Sequence, residues 1–271
     1  IYGNSADSGA GVYIKNSTFT VNGGSVSENY ASGNVAGVYL DGAGAELIMN
    51  GGEISHNISK DIIDYYCGGV YAKSGSIITL NGGSINNNEG YNGSGVYLDG
   101  GTLNMLGGSI NDNSSYYGGG IYSKNASKVI ITGGKITGNE AYYYGGGIYH
   151  NTTEKLIMVD CEITGNECSV KDGGGVYVKQ AADVYIGGTT RIINNKDYHL
   201  NPAFTADNLH LCKSETKIYN ALGQEENIPN KPLTEGAEIG VKLSDEYYAE
   251  DASFTDKNNL GFAIEDVRFF S

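Results

Sequence analysis

Apolar residues over the first 199 positions recur in short alternating runs and show no helical rhythm. In the clearest run Phe19/Val21, Leu47/Met49, Ile78/Leu80, Leu103/Met105, Val129/Ile131, Leu156/Met158 and Val184/Ile186 are apolar, and the residue between is polar at Thr20, Thr79 and Asn104. Alternation of this kind marks a strand with one face in a core and one outside it. A second run is Gly, then Val or Ile, then Tyr13, Tyr39, Tyr71, Tyr97, Tyr122, Tyr149 or Tyr177. A third reads Ile/Val-x-x-Asn and ends at Asn29, Asn57, Asn88, Asn113, Asn139, Asn166 and Asn195, with a further copy ending at Asn4. The three runs keep a fixed order, and successive tyrosines stand 26, 32, 26, 25, 27 and 28 residues apart. Each run is too short for a helix and is bounded by turn residues, so the pattern predicts three short strands per repeat.

One such coil cannot bury its apolar face alone. Coils stacked about 4.8 Å apart build continuous parallel sheets around one long core. The predicted fold is all-β: a right-handed single-stranded parallel β-helix of about seven to eight coils. The leucine-rich LxxLxLxxN run, the calcium-binding nonapeptide and propeller-blade signatures are all missing. Residues 1–199 are assigned to the β-helix repeats. Residues 200–271, where the repeat dissolves, are assigned to a divergent last coil around 208–219 and to C-terminal capping strands at 237–243 and 265–270, because an open coil end exposes strand edges. The chain opens inside a copy of the third signature, so further coils are expected before it, and the lack of a leader carries no information on location.

The column formed by Asn29, Asn57, Asn88, Asn113, Asn139, Asn166 and Asn195 reads as structural. An amide donates and accepts, so stacked amides can bond to the coils above and below. A row of polar ligand contacts is the alternative.

In the tyrosine strand the residue two places on is Lys15, Asp41, Lys73, Asp99, Lys124, Asn151 or Lys179. A row this charged must face water, so the tyrosines of the same face are expected to face out with it. Alternating signs along the stack would hold neighbouring coils in register. The tyrosine row then either packs on itself or offers a flat aromatic strip to sugar rings or a protein. More tyrosines crowd the adjoining turn: Tyr65, Tyr66, Tyr91, Tyr116, Tyr117, Tyr142, Tyr143 and Tyr144. These are the candidate ligand-binding residues, since loops on a rigid scaffold carry function. Chain length varies most at the same corner, where 61–66 form an insertion.

Composition narrows the partners. The net charge is −14 with two arginines, Arg191 and Arg268, which disfavours nucleic acid and anionic membranes. No apolar run is long enough to span a bilayer. Cys67, Cys161, Cys168 and Cys212 lack metal or redox spacing and read mainly as small buried residues, with a disulfide or reactive thiol as the alternative. His56, His150, His199 and His210 occupy different repeat slots, so neither a metal nor a cofactor is expected. Lyase chemistry on acidic polysaccharides would need a cation and a base, and glycoside hydrolysis a carboxylate pair. Asp41 and Asp99 share a face two coils apart with Lys73 between, which suits a charge ladder better. Asp160 and Cys161 interrupt the Gly-Gly motif without assembling a site.

The Gly-Gly-Gly-Ile-Tyr and Ile-x-x-Asn pairs resemble the GGA[ILV] and FxxN motifs of chlamydial polymorphic outer membrane proteins, with Ile for Phe. They are more similar still to right-handed β-helix repeat proteins on the surface of Gram-positive gut anaerobes. In those, repeats end in a segment similar to Ala221-Leu222 followed by 233–241. The resemblance covers nearly the whole chain. It implies a pectin-lyase-like fold and a non-catalytic, adhesin-like role, secreted or at the cell surface, with a glycan or a host or bacterial surface protein as partner. The catalytic motifs of that fold's enzymes map onto no position here. A carbohydrate-active enzyme is the alternative reading.

Overall fold

A computed structural model describes residues 1–60, 67–198, 205–206, 209–212, 217–220, 238–239 and 241–243. These residues form a parallel β-solenoid, with no helix among them. The tyrosine strands, from Val12–Ile14 to Val241–Leu243, make a first sheet of nine strands. The alternating apolar strands make a second sheet of eight, from Thr18–Val21 to Lys217–Asn220. The strands that precede the ladder asparagines make a third of eight, from Ser25–Ser27 to Glu238–Ile239. Register is like on like: Val70 pairs with Val96, Ile78 with Leu103 and Ile85 with Ile110. One continuous core of Val, Leu, Ile and Met runs through the coils.

Three sheets were expected and four are present. The corner after the ladder asparagine is itself a strand in most coils. Ser5–Ala6, Tyr30–Ala31 and Ile58–Ser59 stack in one group, and Ser114–Tyr117, Glu140–Tyr144, Glu167–Cys168 and Lys196–Asp197 in another. Single bridges from Glu89 to Ile58 and to Ser114 connect the two groups. Five of these strands turn a small residue inward (Ala31, Ser59, Ser115, Ala141 or Cys168), all of them buried, and Lys196–Asp197 turns in Asp197. The inward small residue was the available sequence signal for this sheet. It was outweighed by runs too short to show alternation.

The amide column forms along its full length. Each Asn Nδ2 donates to the Oδ1 of the next coil's Asn at 2.8–3.0 Å, from Asn4 to Asn195. Each backbone N–H donates to the same oxygen, and from Asn57 onward Nδ2 also reaches a carbonyl of the preceding coil, as Asn139 does to Ile110 at 2.9 Å. The residue before the asparagine always has positive φ: Gly3, Glu28, His56, Asn87, Asp112, Gly138, Gly165 and Asn194 lie between 53° and 68°. This left-handed residue makes the sharp corner between third and fourth sheets. The strand glycine after the corner answers a different demand. A Cβ on Gly120 would lie 2.6 Å from the carbonyl oxygen of Gly147 and 3.0 Å from Asn139 Nδ2.

Coil six departs at Asp160-Cys161. The left-handed turn residue is Asp160 (φ 50°), where the preceding coil uses Gly134 (φ 85°) one place later. Asp160 Oδ1 accepts from the Thr189 N–H at 3.0 Å, and Cys161 is buried in the main core. The departure is thus a repacked turn. Beyond residue 199 Thr205–Ala206 pairs antiparallel with Lys196–Asp197, while Leu209–Leu211, Lys217–Asn220 and Glu238–Ile239 extend the first, second and third sheets in parallel. The strand expected at 265–270, most of the expected cap and the insertion 61–66 lie outside the described residues.

Candidate functional site

The tyrosine row does not face water. Tyr13 is 51% exposed, but Tyr97 is 1% and Tyr149 2% exposed, and Tyr39, Tyr122 and Tyr177 are buried too. The expectation failed because the fourth sheet supplies a cover. Tyr117 and Tyr144 reach back over the outer face of the first sheet and pack on this row, together with Cys67 and Cys212. A second, aromatic core therefore lies between the first sheet and its corner. The charged residues two places on escape to solvent past its edge.

Within this layer the rings stack on one another. Tyr39 and Tyr71 are parallel within 1° at 5.2 Å, Tyr71–Tyr97 stand at 4.8 Å, Tyr122–Tyr149 at 4.8 Å, and His210 continues the stack on Tyr177 at 5.0 Å. Ring faces are consumed by neighbouring rings, so the row offers no flat platform for a sugar. Burial pushes the phenols of Tyr71, Tyr97, Tyr149 and Tyr177 far above their ordinary range. It also pushes the Cys67 thiol up to about 12. All four cysteines are buried and free of disulfides.

The charge row interlocks with the rings. Asp41 pairs with Lys15 at 3.6 Å and with Lys73 at 3.3 Å, and Asp99 pairs with Lys124 at 3.4 Å. Lys73 and Lys124 also lie over Tyr39 and Tyr97. A hydrogen bond from the Tyr13 hydroxyl, helped by Lys73 and Lys15, holds the Asp41 carboxyl below its ordinary range. Both carboxylates are thus committed to the ladder. Inside the main core Ser123 Oγ lies 2.9 Å from His150 Nδ1, and His150 Nε2 lies 2.8 Å from the Glu154 carbonyl oxygen. The carbonyl can only accept, so Nε2 carries the proton and Nδ1 accepts from Ser123. The pair has the atoms of a nucleophile and base, but both side chains are fully buried.

The turn tyrosines divide. Tyr117 and Tyr144 are half-buried and pack against the buried aromatic layer. Tyr116 and Tyr142, on strands of the fourth sheet, are 40% and 46% exposed, with Tyr91 and Tyr143 half-buried beside them. Tyr91 and Tyr116 stack at 4.7 Å, and Tyr117 and Tyr143 at 5.2 Å. Tyr142 is tilted 58° to Tyr116 and stands edge-on to Tyr143 at 88°, so among the described residues no ring lies flat on it. Tyr65 and Tyr66 lie outside the described residues. Two places before these rings, on the same outward face, come Glu89, Ser114 and Glu140, and Glu167 follows in register on the next strand. Sequence reasoning singled out the tyrosines and not these glutamates, because their shared face appears only once the corner is seen as a strand.

Among the described residues no group of three or more His, Cys, Asp or Glu is placed to hold a metal ion, and no helix is long and apolar enough to cross a membrane. No family model, curated protein or solved structure matches the chain.

Proposed function

We propose that this chain is a non-catalytic display module of a secreted or cell-surface protein: a right-handed, pectin-lyase-like β-helix that holds a recognition surface on the outer face of its fourth sheet. The adhesin-like role follows the repeat motifs that resemble bacterial surface β-helices. One observation carries the reading. In the first sheet Tyr39, Tyr97, Tyr122, Tyr149 and Tyr177 are buried and only Tyr13, on the first described strand of that sheet, is largely exposed, yet Tyr116 and Tyr142 stay 40% and 46% exposed on adjacent strands of a rigid sheet. Large rings held open on ordered backbone, beside Tyr91 and Tyr143, are the kind of anchor that interfaces use. The non-catalytic part is supported by Asp41 and Asp99, each committed to ion pairs, and by a Ser123–His150 pair closed inside the core.

The test is a panel of immobilised glycans and surface proteins probed with the wild type and with Tyr116→Ala/Tyr142→Ala, alongside depolymerisation assays on polysaccharides. Binding that disappears in the double variant is expected. Turnover of a polysaccharide that is lost on replacing a carboxylate would overturn the non-catalytic reading.

A further inference from the structure

We infer that the partner of the fourth-sheet face is a cationic polypeptide segment, extended along the solenoid axis, whose arginine or lysine side chains meet a rail of glutamates and a rail of tyrosines. This rests on the recognition reading above and names its ligand class.

The two rails come from strand geometry. Glu140 and Tyr142 are two apart on one strand, so both point outward, about 7 Å apart along it. Glu89 and Tyr91 stand in the same relation one repeat earlier than Ser114 and Tyr116. Successive coils are about 4.8 Å apart, so Glu89 and Glu167 are separated by three steps, about 14 Å. Side chains four apart on an extended peptide are about 13 Å apart and point the same way. Basic residues at i and i+4 therefore span the carboxylate rail.

The chemistry favours cations over sugars. Carboxylates are acceptors only, and guanidinium and ammonium groups are donors only. One face of Tyr91 and one of Tyr116 are turned to each other, which narrows the platform a pyranose ring would stack on. Tyr142 keeps a face with no ring flat against it among the described residues, which suits a guanidinium. Acidic glycans would be repelled.

The face also carries a cost that a cation would remove. Glu140 and Glu167 are direct register partners in neighbouring parallel strands. Like charges set opposite one another destabilise a strand pair. Lys196 reaches only the outer of the two, Glu167, at 3.8 Å, and no ion pair or hydrogen bond ties the Glu140 carboxylate to a described residue. The charged columns of the first and third sheets alternate sign from coil to coil, as in Lys15–Asp41–Lys73 and Lys135–Glu162. The fourth sheet departs from that pattern beside its exposed rings.

The test is fluorescence anisotropy on the whole chain with three labelled probes: a twelve-residue Arg/Gly peptide with arginines four apart, its Glu/Gly counterpart, and a neutral β-linked hexasaccharide. Saturable binding of the arginine peptide alone is expected, weakening as salt rises. Glu140→Lys should weaken it about tenfold or more. Glu53→Lys makes the same change in net charge on the exposed side of the third sheet and should leave the affinity within about twofold. Equal loss in both variants would reduce the effect to bulk charge and overturn the inference. Hexasaccharide binding that depends on Tyr142, without peptide binding, would overturn the cationic partner and leave the recognition face standing. If binding of none of the three probes responds to Tyr116→Ala/Tyr142→Ala while circular dichroism shows the fold intact, the inference and the reading beneath it both fail.

Discussion

At the scale of single residues, stability depends on buried polar groups that are almost all partnered. Asn113 is the clearest case. Its Oδ1 accepts from the backbone N–H and Nδ2 of Asn88, and its Nδ2 donates to Asn139 and to the Ile85 carbonyl. Asn113→Ala strands several of these groups in a dry interior at once. Each stranded group costs about 1–3 kcal/mol, so a loss of about 3 kcal/mol or more is expected in urea denaturation. His150 gives a pH signature. Burial pulls its pKa down to about 4 against 6.5 for the free side chain, while its bond to the Glu154 carbonyl pulls weakly the other way. The folded state holds the neutral ring, so this contribution is complete above about pH 6.5 and is lost as pH falls towards 4. The loss is about 3 kcal/mol by the linkage relation. In Ser123→Ala/His150→Val, denaturation midpoints measured from pH 7 to pH 4 should fall less steeply than in the wild type. Parallel pH profiles for the two proteins would contradict the tautomer and burial assigned to His150.

At the scale of elements, the coil corner decides what can vary. The slot before the strand glycine holds Ala10, Ala36, Gly68, Ser94, Gly119, Gly146 and Gly174. Ser94 is fully buried and its hydroxyl has no partner among the described residues. Ser94→Ala removes that unpaired group in a slot that already accepts alanine, and should raise stability by about 1 kcal/mol in calorimetry. Gly120→Ala is the opposite case, since the new methyl would meet the Gly147 carbonyl oxygen and the amide column at once. It should destabilise by about 2 kcal/mol or more, or prevent folding. The sequence made the first three strands legible because each repeats the same two-residue rhythm in every coil. The amide column was legible because one slot never varies. The fourth strand was not, since Tyr30–Ala31 and Glu167–Cys168 are only two residues long and carry no rhythm of their own. That gap misplaced the tyrosine row. Lys15 and Asp41 indicated an outward face correctly, but outward from the first sheet is inward to the corner that folds over it. The glutamate rail was hidden for the same reason.

At the scale of the molecule, the solenoid converts sequence distance into a short, regular axial distance. The proposed recognition by the fourth sheet needs that regularity, because its rails exist only if Glu89, Glu140 and Glu167 come from coils in register. Double electron–electron resonance measures this directly. Thr18 and Lys128 lie in one outward column of the second sheet, four coil steps apart. Asp183 lies two steps further along the same stack. With nitroxide labels in pairs, the Thr18–Lys128 distance should centre near about 19 Å and the Thr18–Asp183 distance near about 29 Å, each widened by the label arms. Distances that do not grow in proportion to the number of coils, or a broad distribution for either pair, would contradict the stacked solenoid.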